Sequence, residues 1–161
     1  WIDEREEVFP ETLPHGVKKL VSDDPVGEVK HMPPNSYYLV MTHNHQLDFD
    51  LTKAIIDRED SRYFGMIGSL TKRKKFDFRL EQRGYSQEQI ETMICPIGIS
   101  AVNGKHPAEI AVSVAGELIA HYQGQALEQK RPTKQYRNQD LTDQHSQPSD
   151  VGEPPLEEKI A

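Results

Sequence analysis

The sequence predicts an α/β fold of three layers, in which helices cover both faces of a mostly parallel sheet. In the middle of the chain, a short apolar run is followed twice by a helical pattern. The runs are residues 37–41 and 63–67, and the second ends in Gly68 and Ser69 before a helix predicted over residues 70–83. Such alternation is the repeat of a parallel sheet, and strands that are apolar on both faces are expected between two layers of helices.

Both central strands end in polar residues. In parallel α/β sheets the loops that follow the carboxyl ends of the strands lie at one edge, and ligands bind there. We therefore expect the polar residues after the two strands to lie close together and to form the ligand site.

The chain opens with residues that resemble the end of a strand, Trp1, Ile2 and Asp3. A carboxylate at such a strand end accepts hydrogen bonds from ribose hydroxyls in dinucleotide-binding folds, but an acidic residue there is also commonly just solvated. Both interpretations of Asp3 stay open. The proline-broken residues 4–16 predict a loop, and residues 17–21 predict a short strand.

Two more helices follow the central stretch. Ser86 and Gln89 fit a capping box that opens a short helix reaching Ile94, and residues 95–99 predict an extended segment at the sheet edge. The helix predicted over 107–122 is apolar almost all round. We expect it to be buried between the sheet and a neighbour, or in a subunit interface, which predicts a homodimer.

Composition excludes several classes of protein. The net charge of −7 argues against a nucleic-acid binder, and no apolar run approaches the length of a membrane span. A single cysteine excludes an internal disulfide framework and is typical of a reducing cytosol, so with no recognisable signal peptide we expect a cytoplasmic protein. Residues 125–161 have too few large apolar side chains to offset their ordering entropy, which predicts a disordered tail after a domain spanning 1–124.

The residues after the first central strand, Thr42, His43, Asn44 and His45, allow two interpretations. Thr42 or Asn44 can cap the following helix while the histidines are ordinary loop residues. Alternatively, the cluster faces a ligand, and the imidazoles orient it, bind a metal or move a proton.

The residues after the second strand predict an anion site. Gly68 allows close approach of a ligand, and the free N–H groups at the helix start next to Ser69, with Lys72 nearby, attract negative charge. A tight turn with Ser69 as helix cap is the alternative. Cys95 precedes a proline and is expected to be inert packing, but a thiol facing the site would hold sulfur or a metal.

Four motifs in this order resemble those of a known family. They are residues 38–45 (Tyr-Leu-Val-Met-Thr-His-Asn-His), 65–69 (Gly-Met-Ile-Gly-Ser) with the following Lys72-Arg73 pair, 95–98 (Cys-Pro-Ile-Gly) and 104–111 (Gly-Lys-x-Pro-Ala-Glu-Ile-Ala). Together they resemble the C-terminal Rossmann-like domain of the xanthine dehydrogenase accessory proteins, the XdhC/CoxI family.

The resemblance implies a maturation factor for molybdenum hydroxylases. Such proteins bind the molybdenum cofactor, molybdopterin, protect it during sulfuration by a cysteine desulfurase and deliver it to a xanthine dehydrogenase-type enzyme. The family's first strand and its glycine-rich loop are not recognisable in residues 1–124, so we expect a vacant strand position in the sheet. The cofactor-binding residues expected on this basis are Asp3, Thr42, His43, His45, Gly68, Ser69 and Lys72.

Two other functions stay open. An NAD(P)-dependent oxidoreductase would hold the ribose with Asp3 and use His43 or His45 as a proton donor. A nucleotide-binding docking module would use the last helix as a dimer face and the acidic tail to recruit the hydroxylase. The sequence shows no convincing acid–base pair or nucleophile triad, so no catalytic residue is assigned.

Overall fold

The structure is a computed structural model that describes residues 1–102 and 104–125, all of which belong to one compact unit of the chain. Apart from Gln125, the predicted disordered tail lies outside the described residues. The tail and the domain boundary therefore stay predictions.

Five short strands in the described residues form two parallel sheets. β1 (Ile2–Asp3) pairs with β2 (Leu20–Val21). In the larger sheet, β3 (Tyr37–Val40), β4 (Tyr63–Met66) and β5 (Met93–Ile94) are neighbours in that order. All of these pairings are parallel, with helices between successive strands of the larger sheet, so the predicted Rossmann-like α/β class is confirmed.

The helices of the described residues lie between and after these strands. They are α1 (Pro25–Glu28), α2 (His45–Arg58), α3 (Leu70–Glu81), α4 (Gln87–Glu91) and α5 (Pro107–Tyr122). A short 3-10 turn at Glu6–Val8 lies within the segment predicted as a loop, and another at Val29–His31 follows α1 directly. The bounds of α5 are those predicted, and α3 ends two residues before its predicted end.

One face of the larger sheet packs against α2 and α3 and forms the main core. Phe64 and Met66 of β4 point to this face and are fully buried, in one cluster with apolar residues of both helices. The helix residues of that cluster are Phe49, Leu51, Ile55, Ile56, Phe76 and Leu80. Burial of these side chains fixes α2 and α3 on the sheet, and hence the positions at which the two helices begin.

The opposite face packs against α5 through a buried polar contact. Tyr63 and Gly65 alternate with the core residues of β4 and so point to this face. The Tyr63 hydroxyl donates to the Glu117 carboxylate of α5, whose other oxygen accepts from the Gly98 N–H at 2.8 Å. Burial raises the pKa of the Tyr63 phenol, and the bond to Glu117 raises it further. Helices on both faces of the sheet make the three predicted layers.

The expectation that helices cover both faces of β3 is wrong for one face. Tyr37, Leu39 and Met41 remain about two-fifths exposed, while Val40 on the other face is buried. The reason is the position of β3 at an edge: within the described residues it pairs only with β4, and the buried side chains of α5 contact β4 and the loop after β5. Tyr37 still reaches the end of α5, where its ring lies edge-on against His121.

The short helix predicted to reach Ile94 is also wrong at its end, because α4 ends at Glu91 and Met93 begins β5. The predicted capping box of Ser86 and Gln89 is confirmed. The buried Arg73 guanidinium of α3 donates to the carbonyls of Ile90 and Met93, so the Ile90 carbonyl is satisfied without the Ile94 N–H that a longer helix would supply. Residues 95–99, predicted as the extended segment, therefore form the loop after the edge strand.

α5 is buried on one face only. Ser113, Val114, Glu117 and Ala120 face the sheet side, whereas the opposite face exposes apolar side chains. The large ones on that face are Val112, Ile119 and Tyr122. Across the described residues, no helix has the length and apolar character needed to cross a membrane.

Candidate functional site

A cleft of about 260 Å³ lies between the loops that follow β3 and β4. It forms at the carboxyl ends of two parallel strands, the edge at which α/β sheets bind ligands. Six of its eight lining residues were predicted from the sequence, and Asp48 and Ile67 were not. The lining residues are Thr42, His43, His45, Asp48, Ile67, Gly68, Ser69 and Lys72.

The loop after β3 is shaped by two separate sets of hydrogen bonds. Asn44 caps α2, since its side-chain oxygen accepts from the N–H groups of Gln46 and Leu47 at 2.8 and 3.2 Å. Thr42 does not cap the helix; its hydroxyl donates to Asp48 at 2.7 Å and accepts from the Asn44 N–H. The capping interpretation is thus confirmed for Asn44, and Thr42 is held toward the cleft by an acidic residue of α2.

The loop after β4 is a tight turn closed by a helix cap. Ser69 accepts from the N–H of Lys72 at 3.2 Å and begins α3, as the turn interpretation predicted. A Cβ on Gly68 would lie 2.8 Å from the Lys72 side chain and 3.0 Å from the Cys95 sulfur, so glycine is needed here for packing inside the protein. The remaining N–H groups of the first turn have no partner within the helix and can serve an anion.

The two loops are joined by a buried ion pair. The Lys72 ammonium lies 2.6 Å from Asp48 Oδ2 and donates to the Ile67 carbonyl at 2.9 Å. Asp48 Oδ1 accepts from the hydroxyl and the N–H of Thr42. The side chains of Asp48 and Lys72 are only 2% and 10% exposed. Lys72 therefore lines the cleft as predicted, but its charge is compensated by Asp48.

The helical periodicity of α2 indicates that Asp48 is buried, although Asp48 was not among the predicted site residues. Asp48 occupies the position one turn before Thr52 and two turns before Ile55, both of which are buried on α2. An acidic residue on the buried stripe of a helix needs a buried partner. The basic cluster that opens α3 follows the other loop of the predicted ligand edge and was a candidate source of that partner.

Comparison with known proteins assigns the family. The sequence model described as the XdhC Rossmann domain matches residues 1–118 of this chain. The chain belongs to the XdhC Rossmann-domain family. It is also similar to the uncharacterized protein YqeB of Escherichia coli (strain K12), with 26% identity over 117 residues, which are 71% of this chain and 21% of YqeB. This XdhC-family chain thus spans about a fifth of the length of that curated relative.

The two histidines of the XdhC domain lie at the rim of the cleft and are exposed. The pKa of Asp3 is lowered chiefly by its hydrogen bonds to Arg5 and to a smaller extent by His43. Within residues 1–102 and 104–125, no three side chains of the His, Cys, Asp or Glu type converge as a metal site would require. As residues of the cleft lining, His43 and His45 are in position to contact a ligand that enters.

Asp3 lies at the end of β1 but does not line the cleft. Its carboxylate oxygens accept from the Arg5 guanidinium at 3.0 and 3.2 Å, and one of them also accepts from the Arg5 N–H. These bonds hold the pKa of Asp3 below its usual value. A ribose at this strand end would share the carboxylate with Arg5.

Cys95 lies behind Gly68 and away from the cleft lining. It is buried, and burial raises the pKa of its thiol to about 11. At neutral pH the sulfur is thus a protonated thiol, which is neither a good nucleophile nor a good metal ligand. The packing role expected for Cys95 fits this position better than contact with a cargo.

A second, larger depression of about 350 Å³ lies at the opposite, amino ends of β3 and β4. Its acidic groups are already engaged: Asp60 accepts from Arg58 through both oxygens, and Glu59 accepts from Gln89. It also lacks the helix N-termini that meet at the smaller cleft. Size alone therefore does not make it the better candidate for the XdhC domain's ligand site.

Proposed function

We propose that this XdhC Rossmann domain is part of a maturation factor for xanthine dehydrogenase-type molybdenum hydroxylases. In this proposal it binds the molybdenum cofactor, molybdopterin, as cargo, assists its sulfuration by a cysteine desulfurase and supports its insertion into the enzyme. The observation that carries the proposal is the cleft in which Thr42, His43, His45, Gly68, Ser69 and Lys72 meet.

The two ends of the cleft suit the two ends of this cargo. The first turn of α3, next to Ser69, supplies backbone N–H groups and the positive end of the helix dipole for the phosphate. Thr42 and the two rim histidines supply hydrogen-bonding groups for the pterin and metal end. Because Asp48 compensates the charge of Lys72, the helix N-terminus is the main source of attraction for the phosphate at the cleft lining.

Carrying a cargo requires no chemical step from this chain, and the cleft is consistent with that. The carboxylate of Asp48 is committed to Thr42 and Lys72, and the Cys95 thiol is buried and protonated. Neither group is placed as a free nucleophile. The sulfur for cofactor maturation would come from the desulfurase rather than from this chain.

Retention of the cofactor tests the proposal. The chain is mixed with released molybdenum cofactor, gel-filtered and assayed for bound molybdenum and pterin fluorescence. Ser69→Ala, which removes the cap of α3, is expected to lower retention several-fold. Ser86→Ala removes the equivalent cap from α4, away from the cleft, and is the matched control that should retain the cofactor. Equal retention by both variants would contradict the site, and no retention by the unaltered chain would contradict the function.

A nicotinamide-dependent oxidoreductase is the second candidate, and the position of Asp3 at the end of β1, where dinucleotide-binding folds hold a ribose, is the observation that favours it. The bonds from Arg5 to both Asp3 oxygens count against a free ribose acceptor. NAD offered in parallel with the cofactor separates the two candidates. NAD binding that Asp3→Ala abolishes, without cofactor retention, would replace the maturation proposal.

A further inference from the structure

The hydrogen bonds of the Asp48–Lys72 pair leave one acceptor and one donor unused at the cleft. A carboxylate offers four acceptor positions and an ammonium offers three N–H donors. Asp48 accepts twice from Thr42 through Oδ1 and once from Lys72 through Oδ2. Lys72 donates to Asp48 and to the Ile67 carbonyl. Among the hydrogen bonds of the described residues, this leaves one position on Oδ2 and one N–H on Nζ, whose only further contact is the Phe76 ring with its centroid 5.6 Å away.

These two atoms are adjacent, and both of their side chains line the cleft. Oδ2 and Nζ lie 2.6 Å apart, which is close enough for one edge of a ligand in the cleft to contact both atoms. The pair has no net charge, and its low exposure makes an unmatched polar group there costly. The complementary ligand edge carries a donor beside an acceptor and is itself neutral.

We propose that the Asp48–Lys72 pair recognises a lactam edge, meaning a ring carbonyl next to a ring N–H. Lys72 donates to the carbonyl oxygen, and Asp48 Oδ2 accepts from the N–H. This inference rests on the proposed function, since the pyrimidinone ring of a pterin carries such an edge. It separates two subsites of one cleft: the lactam at Asp48 and Lys72, and the phosphate at the start of α3.

The alternative for this pair is an anion subsite, and the geometry disfavours it. A phosphate at Lys72 would also face the buried carboxylate of Asp48, which already neutralises the ammonium. The Ile67 carbonyl adds a second negative dipole at the same nitrogen. An uncharged carbonyl oxygen can accept one hydrogen bond from Lys72 without the charge repulsion that a phosphate would meet at Asp48.

Two small probes test the inference on the unaltered chain. Pterin presents the lactam edge, and 3-methylpterin keeps the carbonyl but replaces the ring N–H by a methyl group. Fluorescence titration is expected to show at least tenfold weaker binding of 3-methylpterin, because the Asp48 acceptor loses its donor and meets the methyl group. Equal affinities, or no pterin binding at millimolar concentration, would overturn the lactam assignment.

A variant of Asp48 supplies a second test, because we expect the affinities for pterin and for phosphate to change in opposite directions. A variant that failed to fold would lose both. Asn at position 48 keeps an oxygen for Thr42 but turns a donor toward Lys72. Asp48→Asn is therefore expected to weaken pterin binding at least tenfold and to strengthen binding of inorganic phosphate, because the charge of Lys72 is no longer compensated. Asp50→Asn, on the same helix and paired with Lys53 at the surface, is the matched control and should change neither affinity.

The outcomes separate this inference from the proposed function. If Asp48→Asn weakens both ligands or neither, the lactam assignment fails. If it fails while the unaltered chain still retains the molybdenum cofactor, the function stands and the pterin lies elsewhere in the cleft. If the unaltered chain retains no cofactor but discriminates pterin from 3-methylpterin, the function fails and the subsite stands.

Discussion

Two buried carboxylates hold separate elements of this fold together. Asp48 ties the loops after β3 and β4 together, and Glu117 fastens α5 to β4 and to the loop after β5. Each carboxylate is almost fully buried and accepts at least two hydrogen bonds. A buried carboxylate without such partners would cost several kcal/mol, so these bonds restrict the elements to one arrangement.

Burial also determines the reactivity of the one cysteine. The thiol pKa of Cys95 is raised to about 11 by burial, against a usual value of 9.0. We expect alkylation by iodoacetamide at pH 8 to be slower in the folded chain than in urea by on the order of a hundredfold, from the smaller thiolate fraction alone. Since folding holds this proton more tightly, the contribution of Cys95 to stability falls as pH rises between about 9 and about 11.

Mass spectrometry of the alkylated chain, with and without urea, measures this directly. Cys95→Ala is the control that should lose the labelled product and flatten the fall in stability between those pH values. If Cys95 reacted as fast in the folded chain as in urea, its sulfur would be accessible. The hypothesis that Cys95 contacts the cargo would then stand again.

How much of the site the sequence could predict depends on where its residues lie. Residues in the loops were predictable, because a strand that ends in polar residues before a helix must place them at the ligand edge. Asp48 was missed because it sits within a helix, where a charged residue normally faces solvent. Glu117 was missed for the same reason, although it shares a face with Val114 and Ala120. Only the packed structure shows that both are buried with partners.

At the scale of elements, helix caps do more than stabilise the helices of this fold. Asn44 caps the start of α2 and Ser69 caps the start of α3, and both caps lie next to the cleft. The orientation of the first helical turns therefore sets the positions of Thr42, Asp48 and Lys72. A lost cap near the cleft should thus cost both stability and binding.

Asn44→Ala tests this link. The variant loses two hydrogen bonds to backbone N–H groups, and we expect a drop of about 1 kcal/mol in the free energy of unfolding, measured in urea. Cofactor retention should fall as well, since the loop that holds Thr42 loosens. Ser86→Ala should lose a comparable amount of stability without any change in retention, because α4 is remote from the cleft. Parallel changes in both variants would show that retention follows stability alone.

Element boundaries show the limit of local patterns. The capping residues of α2, α3 and α4 were readable from the sequence because each is a short-range interaction. The strand at Met93 and Ile94 was not, since its apolar residues also fit a helix and the pairing with β4 joins residues far apart in the chain. The exposed face of β3 has a similar cause, because coverage of a strand depends on its place in the sheet.

For the whole molecule, the apolar face of α5 is the most exposed of the apolar surfaces that the described residues leave without a partner. Val112 and Tyr122 are 72% and 62% exposed there. The homodimer predicted from the sequence stays a prediction, and this face is where we expect it to form, because two copies of one helix can pack against each other about a twofold axis.

Val112→Lys is the corresponding test. A lysine on this face would meet its own copy across the axis, and we expect light scattering after gel filtration to show a shift from dimer to monomer. Phe78→Lys places the same charge on an exposed apolar position of α3 and should leave the dimer intact. A chain that is monomeric without any substitution, or a dimer that tolerates Val112→Lys, would contradict the assignment of this face.

Hydrogen exchange of the chain with and without molybdenum cofactor tests the proposed cleft most directly. We predict that the cofactor slows exchange of backbone N–H groups in residues 42–48 and 67–73, the two loops and helix starts around the Asp48–Lys72 pair, while α5 and the depression at the amino ends of β3 and β4 are unchanged. Protection at the amino ends of the strands, or no protection anywhere at saturating cofactor, would contradict the proposal that this cleft carries the cargo.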